Sequence, residues 1–233
     1  MINSKDYEVS YILHLETATK NCSVSIGRSG KQIALKELNL GTYSHAEKLH
    51  VFIEEIMIES GLQFKDLDAV AIGKGPGSYT GLRIGVSAAK GICFALGIPL
   101  IAIETLRILA GAVTVTDGLI IPMLDARRLE VYSAVFDVNY KQLSATEALV
   151  IDKNSFSDYL DKGTVYFLGD GAEKCKEIIV HKNAVFVDGL FPSAAQMHEL
   201  AFQKLKKGKT EDVAYFEPFY LKDFLGTKLK KRV

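Results

Sequence analysis

Gly75-Pro-Gly-Ser-Tyr-Thr-Gly-Leu-Arg-Ile-Gly85 is the stretch whose reading decides the fold. Gly75, Pro76 and Gly77 force a tight turn, because proline presets one backbone angle and glycine accepts angles closed to other residues. Ser78 then predicts an N-cap, and the helix that follows offers backbone N–H groups at its start. Upstream, Ala69 to Ile72 is a short apolar run that reads as a buried strand. Downstream, the helix runs to about Leu96, where Gly97-Ile-Pro99 stops it and leads into a strand over Leu100 to Ile103. Three glycines inside that helix, Gly81, Gly85 and Gly91, each cost about 0.5–1 kcal/mol relative to alanine. Close packing or backbone access is expected to offset them.

Working outward, Tyr11 to Leu15 and Cys22 to Ile26 are apolar runs separated by the polar Glu16-Thr-Ala-Thr-Lys-Asn21, a β-hairpin pattern. Ile33 to Leu40 supplies a third strand. Ser44 with Glu47 predicts a capping box for a helix that runs to Ser60 and closes at Gly61. A short helix over Thr105 to Ala112 follows the first half, and the pattern then restarts. Leu119 to Leu124 and Leu129 to Asp137 form a second hairpin around Asp125-Ala-Arg-Arg128. Thr164 to Leu168 is a strand followed by Gly169-Asp-Gly171 and a helix from about Ala172. Val185 to Val187 is a brief strand, Ser193 to Lys207 a helix, and the aromatic tail Tyr215 to Phe224 is expected to pack back onto the body. Two halves that each open with a hairpin predict a duplicated α/β fold, with lobes at 1–105 and 106–233.

The 233 residues suffice for two small lobes with real cores, and 48% hydrophobic and 24% charged residues is ordinary globular composition. Acids and bases balance at 28 each, so no global field draws the chain to nucleic acid or membrane. Cys22, Cys93 and Cys175 fit no ligand spacing, and a sparse, odd count suits a reducing compartment. The opening residues lack a signal-peptide core and no apolar run is long enough to span a bilayer, so a cytoplasmic location is expected.

The 75–85 stretch resembles the signature of the bacterial TsaB (YeaZ-like) family, which helps make threonylcarbamoyl adenosine in transfer RNA. Leu13 to Thr19, Tyr43 to Leu49, Ala88-Ala-Lys-Gly91, Met123-Leu-Asp-Ala-Arg-Arg128 with Glu130-Val-Tyr132, and Pro218-Phe-Tyr-Leu-Lys-Asp223 continue the match in order. The resemblance implies a two-lobed actin-like ATPase (ribonuclease H-like) fold. It also implies partnership with the catalytic paralogue TsaD, and that the ATPase TsaE joins the assembly.

Phosphate-binding hairpins of that superfamily carry an Asp and a glycine. Here the first turn reads Glu16-Thr17-Ala18-Thr19, with Ala18 in the glycine's place, and the second turn, from Asp125, carries two arginines. Gly169-Asp-Gly171 resembles an adenosine-side loop. Glu16, Thr17, Thr19, Asp125, Gly169 and Gly171 therefore outline a degraded nucleotide cleft with weak binding at most, and no cofactor is expected. Metal is not expected either. The paralogue's H-x-x-x-H pair has no counterpart, since His45 and His50 are five apart and about 140° out of phase on a helix. No Gly-x-Ser-x-Gly nucleophile motif is present, and the catalytic set is expected to be empty.

On a helical wheel, Leu49, Phe52, Ile53, Ile56 and Met57 face one way, whereas Val51 and Ile58 face the other amid Glu47, Glu54 and Glu55. Either these are two stray exposed apolar residues, or they are the seam of an inter-subunit helix pair with an acidic rim. In the next helix Gly81, Gly85, Ala88, Ile92 and Ala95 form a stripe of mostly small residues, beside a second apolar face of Leu82, Val86, Cys93 and Leu96. Two apolar faces suggest two neighbours. The resemblance implies that these helices pair with the equivalent two of TsaD, and the same surface would serve a homodimer when TsaD is absent. The tail with Lys228, Lys230, Lys231 and Arg232 is either a solvated end or an auxiliary contact to transfer RNA, which is otherwise met only through the complex. The leading expectation is a non-catalytic partner subunit. The alternative is an actin-like ATP hydrolase or small-molecule kinase using Glu16 and Asp125, while a metallopeptidase would need a ligand cluster that the sequence does not offer.

Overall fold

The computed structural model describes residues 9–39, 41 and 44–222. Two five-stranded sheets dominate it, and both have the same strand order. In the first sheet β1 (Tyr11–Glu16) pairs antiparallel with β2 (Cys22–Arg28), which pairs with β3 (Lys31–Leu38). On its other edge β1 pairs parallel with β4 (Ala69–Gly73), and β4 pairs with β5 (Leu100–Ile103). The second sheet repeats this order. β6 (Leu119–Asp125) is flanked by β7 (Glu130–Ser133) and β8 (Glu147–Val150) on the antiparallel side, and by β9 (Val165–Leu168) and β10 (Ala184–Val187) on the parallel side. The expected duplicated α/β architecture, two sheets of one strand order, is present.

The crossovers differ between the halves. Helices α1 (His45–Ser60) and α2 (Tyr79–Leu96) cover one face of the first sheet. Their counterparts in the second half have shrunk to a single turn, α4 (Ser157–Leu160), and a 3₁₀ turn at Glu173–Cys175. Helix α3 (Thr105–Ala110) packs on β6, whereas α5 (His198–Lys206) returns to the first sheet and lies against β1, β3 and β5. The chain therefore crosses any line drawn at residue 105 more than once.

Strand alternation explains how the first sheet serves two cores. Leu13, Leu15, Val70 and Ile72 point toward α1 and α2, while Ile12, Ala69, Ala71, Ile101 and Ile103 point toward α5. His14, in the second set, meets His198 at the start of α5 with ring centroids 4.3 Å apart, and both rings are buried.

Several local expectations need correction. Ser44 makes no side-chain cap, and its carbonyl receives the first helical N–H groups from Glu47 and Lys48 instead. Its φ of −121° and ψ of 11° are not the extended cap geometry that the side-chain bond requires. Gly61 does close α1 in the left-handed region, at φ 67°. Strand β7 stops at Ser133, after which Phe136 makes two isolated bridges, to Ile120 and to Gln142. The helix expected from Ala172 is one 3₁₀ turn, and that expected over 193–207 is a 3₁₀ turn at Ala194–Gln196 followed by α5. Strand β8 was not foreseen. Residues 40, 42, 43 and 223–233, including the basic tail, lie outside the described set.

Ser78 caps α2 as expected, its hydroxyl accepting the Gly81 N–H at 3.2 Å. The signature turn then seats directly on the first hairpin turn, with the Ser78 N–H donating to Ala18 O at 2.7 Å. A Cβ on Gly81 would lie 2.2 Å from Thr17 O, whereas one on Gly91 would meet nothing within 4 Å.

Two predictions follow from this packing. Gly81→Ala should destabilise by about 1–3 kcal/mol through forced displacement of backbone, whereas Gly91→Ala should stabilise by about 0.5–1 kcal/mol; denaturant melts of both distinguish them. Burial holds His198 down at about 4, from an ordinary 6.5, and holds His14 well below its usual value. The unfolded chain thus takes up more protons below pH 6.5, so stability should fall as pH drops from 6.5 toward 4. The slope should correspond to a loss on the order of 2 kcal/mol from His198 and should flatten in His198→Gln, as read by urea midpoints across that range.

Candidate functional site

Two regions carry the residues singled out by sequence, the outer face of α1 and α2 and the two hairpin turns between the lobes. On α1, Leu49, Ile53, Ile56 and Met57 are buried, while Val51 and Ile58 stand 43% and 74% exposed. Glu47, Glu54 and Glu55 are exposed around them. Lys36 on β3 holds part of this acidity, pairing with Glu59 at 2.7 Å and Glu55 at 3.9 Å.

On α2 the small-residue stripe divides. Gly81 and Gly85 are buried against the chain's own first hairpin, where a Cβ at Gly85 would lie 2.2 Å from Thr17 Oγ1. Their smallness serves packing within the subunit, and they offer no surface to a partner. Ala88 is buried, Ile92 is half-buried and Ala95 is exposed. A groove of about 560 Å³ is lined by Arg83, Ile84, Ser87, Ala88, Gly91 and Ile92 from α2 and by His50 from α1. The sequence reading missed Phe94, which is 85% exposed. The signal was available, because Phe94 falls on the wheel line of Thr80, Arg83 and Ser87, the polar side of α2.

Arg83 lies over the Tyr79 ring at 4.2 Å and donates to Tyr220 Oη at 3.2 Å. Lys90 donates to Ala214 O and Phe216 O, and the Phe219 N–H reaches Lys74 O at 2.8 Å. The C-terminal segment thus straps α2 and the signature loop through Phe216, Phe219 and Tyr220, whereas Tyr215 is 84% exposed and Phe224 lies outside the described residues. Lys222 pairs with Glu130 and ties the strap to the second lobe.

The hairpin turns are occupied. Glu16, Thr17, Ala18 and Thr19 are all buried, with Thr17 and Ala18 directly beneath the 75–81 segment and Glu16 against Gly73. The Glu16 side chain bends back so that Oε1 accepts the Ala18 N–H at 2.6 Å, taking a backbone donor of the turn. Among the described residues Oε2 has no hydrogen-bond partner, and it sits where a Cβ on Gly73 would fall, 1.9 Å away. Burial pushes this carboxyl up to about 7, opposed by its hydrogen bonds from the Ala18 and Thr17 backbone. Thr17 Oγ1 donates to Gly81 O at 2.8 Å, and His45 Nε2 lies 2.6 Å from Thr19 O, which places His45 in the support of the turn.

In the second turn, Asp125 is exposed and paired with Lys174. Asp170 accepts the Asp125 N–H at 3.0 Å, and burial raises its carboxyl above the usual range. Gly169, at φ 103°, lies against Met123 O, and Gly171 lies against the backbone of Leu124. Both glycines are thereby accounted for by close packing onto β6. Among the described residues no group of three or more His, Cys, Asp or Glu side chains is placed to hold a metal ion.

Glu16 gives a pH dependence opposite in sign to that of the histidines. Its folded form prefers the proton, so its contribution is full below the ordinary 4.5, falls as pH rises toward 7 and is constant above. Glu16→Gln should therefore gain about 1–2 kcal/mol over wild type at pH 8, and little at pH 4.5, in paired denaturant titrations.

The family model described as TsaD, tRNA N6-adenosine threonylcarbamoyltransferase, matches residues 40–225. The tRNA threonylcarbamoyladenosine biosynthesis protein TsaB of Escherichia coli (strain K12) is 30% identical, over 93% of this chain and 96% of that protein. Its namesake in Bacillus subtilis (strain 168) is 31% identical, over 91% and 93%. A crystal structure from Pseudomonas aeruginosa, described as an uncharacterized protein with similarity to peptidase YEAZ, superposes with a TM-score of 0.81 at 25% identity, covering 91% of this chain and all of that one. With a matching signature turn, a duplicated pair of sheets and relatives aligned from end to end, the chain belongs to the TsaB (YeaZ-like) family.

Proposed function

We propose that this protein is a non-catalytic partner subunit in the biosynthesis of threonylcarbamoyladenosine in tRNA, and that it acts by docking its α1–α2 face onto TsaD. The observation that carries this reading is the outward exposure of Val51 and Ile58 on α1 and of Phe94 on α2, on helices that also line an open groove. Large apolar side chains exposed on two helices that pack against each other favour a helical partner, and Glu47, Glu54 and Glu55 on α1 supply a polar rim around Val51 and Ile58. Ile92 and Ala95 extend the face toward the end of α2. Gly81, Gly85 and Ala88 act indirectly, by letting α2 seat closely enough to present it.

Catalytic silence is supported by the state of the turns. Glu16 takes the Ala18 N–H, the 75–81 segment covers Thr17 and Ala18, and Lys174 fills the loop after Asp125. Chemistry then falls to TsaD, with TsaE recruited to the assembled pair. Transfer RNA is met through the complex, in keeping with a formal net charge of zero. No helix among the described residues is long and apolar enough to cross a membrane, and we place the protein with the tRNA machinery in the cytoplasm. In the absence of TsaD the same face of the 1–105 lobe would close a homodimer.

The test is size-exclusion chromatography with light scattering, on this chain alone and mixed with its own TsaD. A stable heterodimer is expected, with no ATP turnover by the isolated chain. Val51→Glu with Ile58→Glu should weaken the heterodimer at least 100-fold, and Phe94→Glu at least 10-fold, with melting temperatures close to wild type. Unchanged binding by the double variant would place the interface elsewhere. ATP turnover that disappears in Glu16→Gln would establish the hydrolase or kinase reading instead.

A further inference from the structure

The turn between β6 and β7 is filled by a positive charge. The Lys174 ammonium donates to the Asp125 carboxylate, to Arg128 O at 2.7 Å and to Glu130 O at 2.7 Å. An ammonium has three N–H donors and no acceptor, and here three oxygens of one turn receive all three. The turn reaches this shape through two successive left-handed residues, Arg127 at φ 72° and Arg128 at φ 52°, a conformation uncommon for large side chains. Lys174 is placed by the 3₁₀ turn Glu173–Cys175, and only 24% of its side chain is exposed.

The duplicated topology gives this contact a meaning. The β6–β7 turn is the counterpart of the β1–β2 turn, and the segment after β9 is the counterpart of the signature segment after β4. In the first lobe that segment covers the hairpin with backbone, whereas in the second it supplies one lysine. We propose that the 125–130 turn is a cation site and that Lys174 is its resident ion. The oxygens comprise one carboxylate and two carbonyls, so the formal charge of the site is −1. That suits a single positive charge, and three ligands fall well short of the six to eight that calcium takes. The chemical class the site would accept, were the lysine shortened, is a primary alkylammonium. Such an ion reproduces both the charge and the three-donor geometry. The occupant also fixes Glu130, whose carboxylate pairs with Lys222 and so anchors the C-terminal strap.

The experiment uses the full chain. Lys174→Ala removes the atoms equivalent to propylammonium, and the variant should melt about 3–6 °C below wild type. Propylammonium chloride at tens of millimolar should restore at least half of that loss. Tetramethylammonium, which has no N–H, and sodium chloride at equal ionic strength should not, and wild type should respond to none of them. An unchanged melting temperature, or equal recovery with tetramethylammonium or sodium chloride, would overturn the assignment. Lys174→Met keeps the stem and should lose comparable stability; a variant as stable as wild type would show that stem packing alone matters. If Lys174→Ala does not fold, the Met variant decides, together with the Lys174 ammonium proton signal of the ¹⁵N-labelled wild type. That signal is expected to exchange slowly with water, and fast exchange would count against the cradle.

Discussion

The contact between the signature segment and the first hairpin turn is the constraint on which the rest of the molecule depends. Ser78 donates to Ala18 O, Thr17 Oγ1 donates to Gly81 O, and no side chain fits between them. Because α2 must approach the turn to backbone distance, Gly77, Gly81 and Gly85 are required where they stand. The same approach fixes the rotation of α2 about its axis. With the glycine side turned inward, Arg83, Ser87 and Phe94 turn outward. The face offered to a partner and the closure of the turn are thus two outcomes of one packing event. The enclosed Glu16 is a third, since the cover that seals the turn also removes its carboxyl from water.

The two halves show how one topology can be put to different uses. Both sheets keep the same strand order, yet only the first retains full-length crossover helices. Helices on one lobe and short turns on the other make the protein asymmetric in what it can present. The first lobe carries a broad helical surface, and the second contributes support through β7 and the strap that Lys222 fastens to it. Stability is shared across the division too. Helix α5 covers the rear of the first sheet, and Ser25 and Ser23 on β2 bond the backbone at Ala194.

Much of this was legible in the sequence, for reasons that differ by element. Strands β1, β2, β4 and β5, and helices α1 and α2, announced themselves by apolar periodicity and by glycine, serine and proline at their ends. Those signals act locally, so a single sequence carries them. The inward role of Gly81 and Gly85 was not legible, because a stripe of small residues permits close approach without naming the neighbour. Strand β8 escaped because Glu147-Ala-Leu-Val150 shows no alternation of exposure, with its ends open to solvent and its centre half-covered. The helix anticipated after Gly171 is a single 3₁₀ turn, Glu173–Cys175, and nothing local in the sequence distinguishes the two. Lys174 itself was invisible, since nothing within 40 residues in sequence hints at its partners. Phe94 was readable on the wheel, where an aromatic residue stood on a polar line.

The return of α5 and the strap to the first lobe has a consequence for how the protein is made. Residues 198–222 cover β1, accept a hydrogen bond from Arg83 at Tyr220 and bind Lys90, although the elements they complete are finished by residue 103. During synthesis the first lobe therefore waits, with the rear of its sheet uncovered, while the whole second lobe emerges. Its apolar rear face, with Ile12, Ile101 and Ile103, is open to chaperones throughout that interval. A chain that terminates early never receives its fastening. Completion of translation thus becomes a condition for α2 to be held in place, and truncated products are marked by the surface they fail to cover.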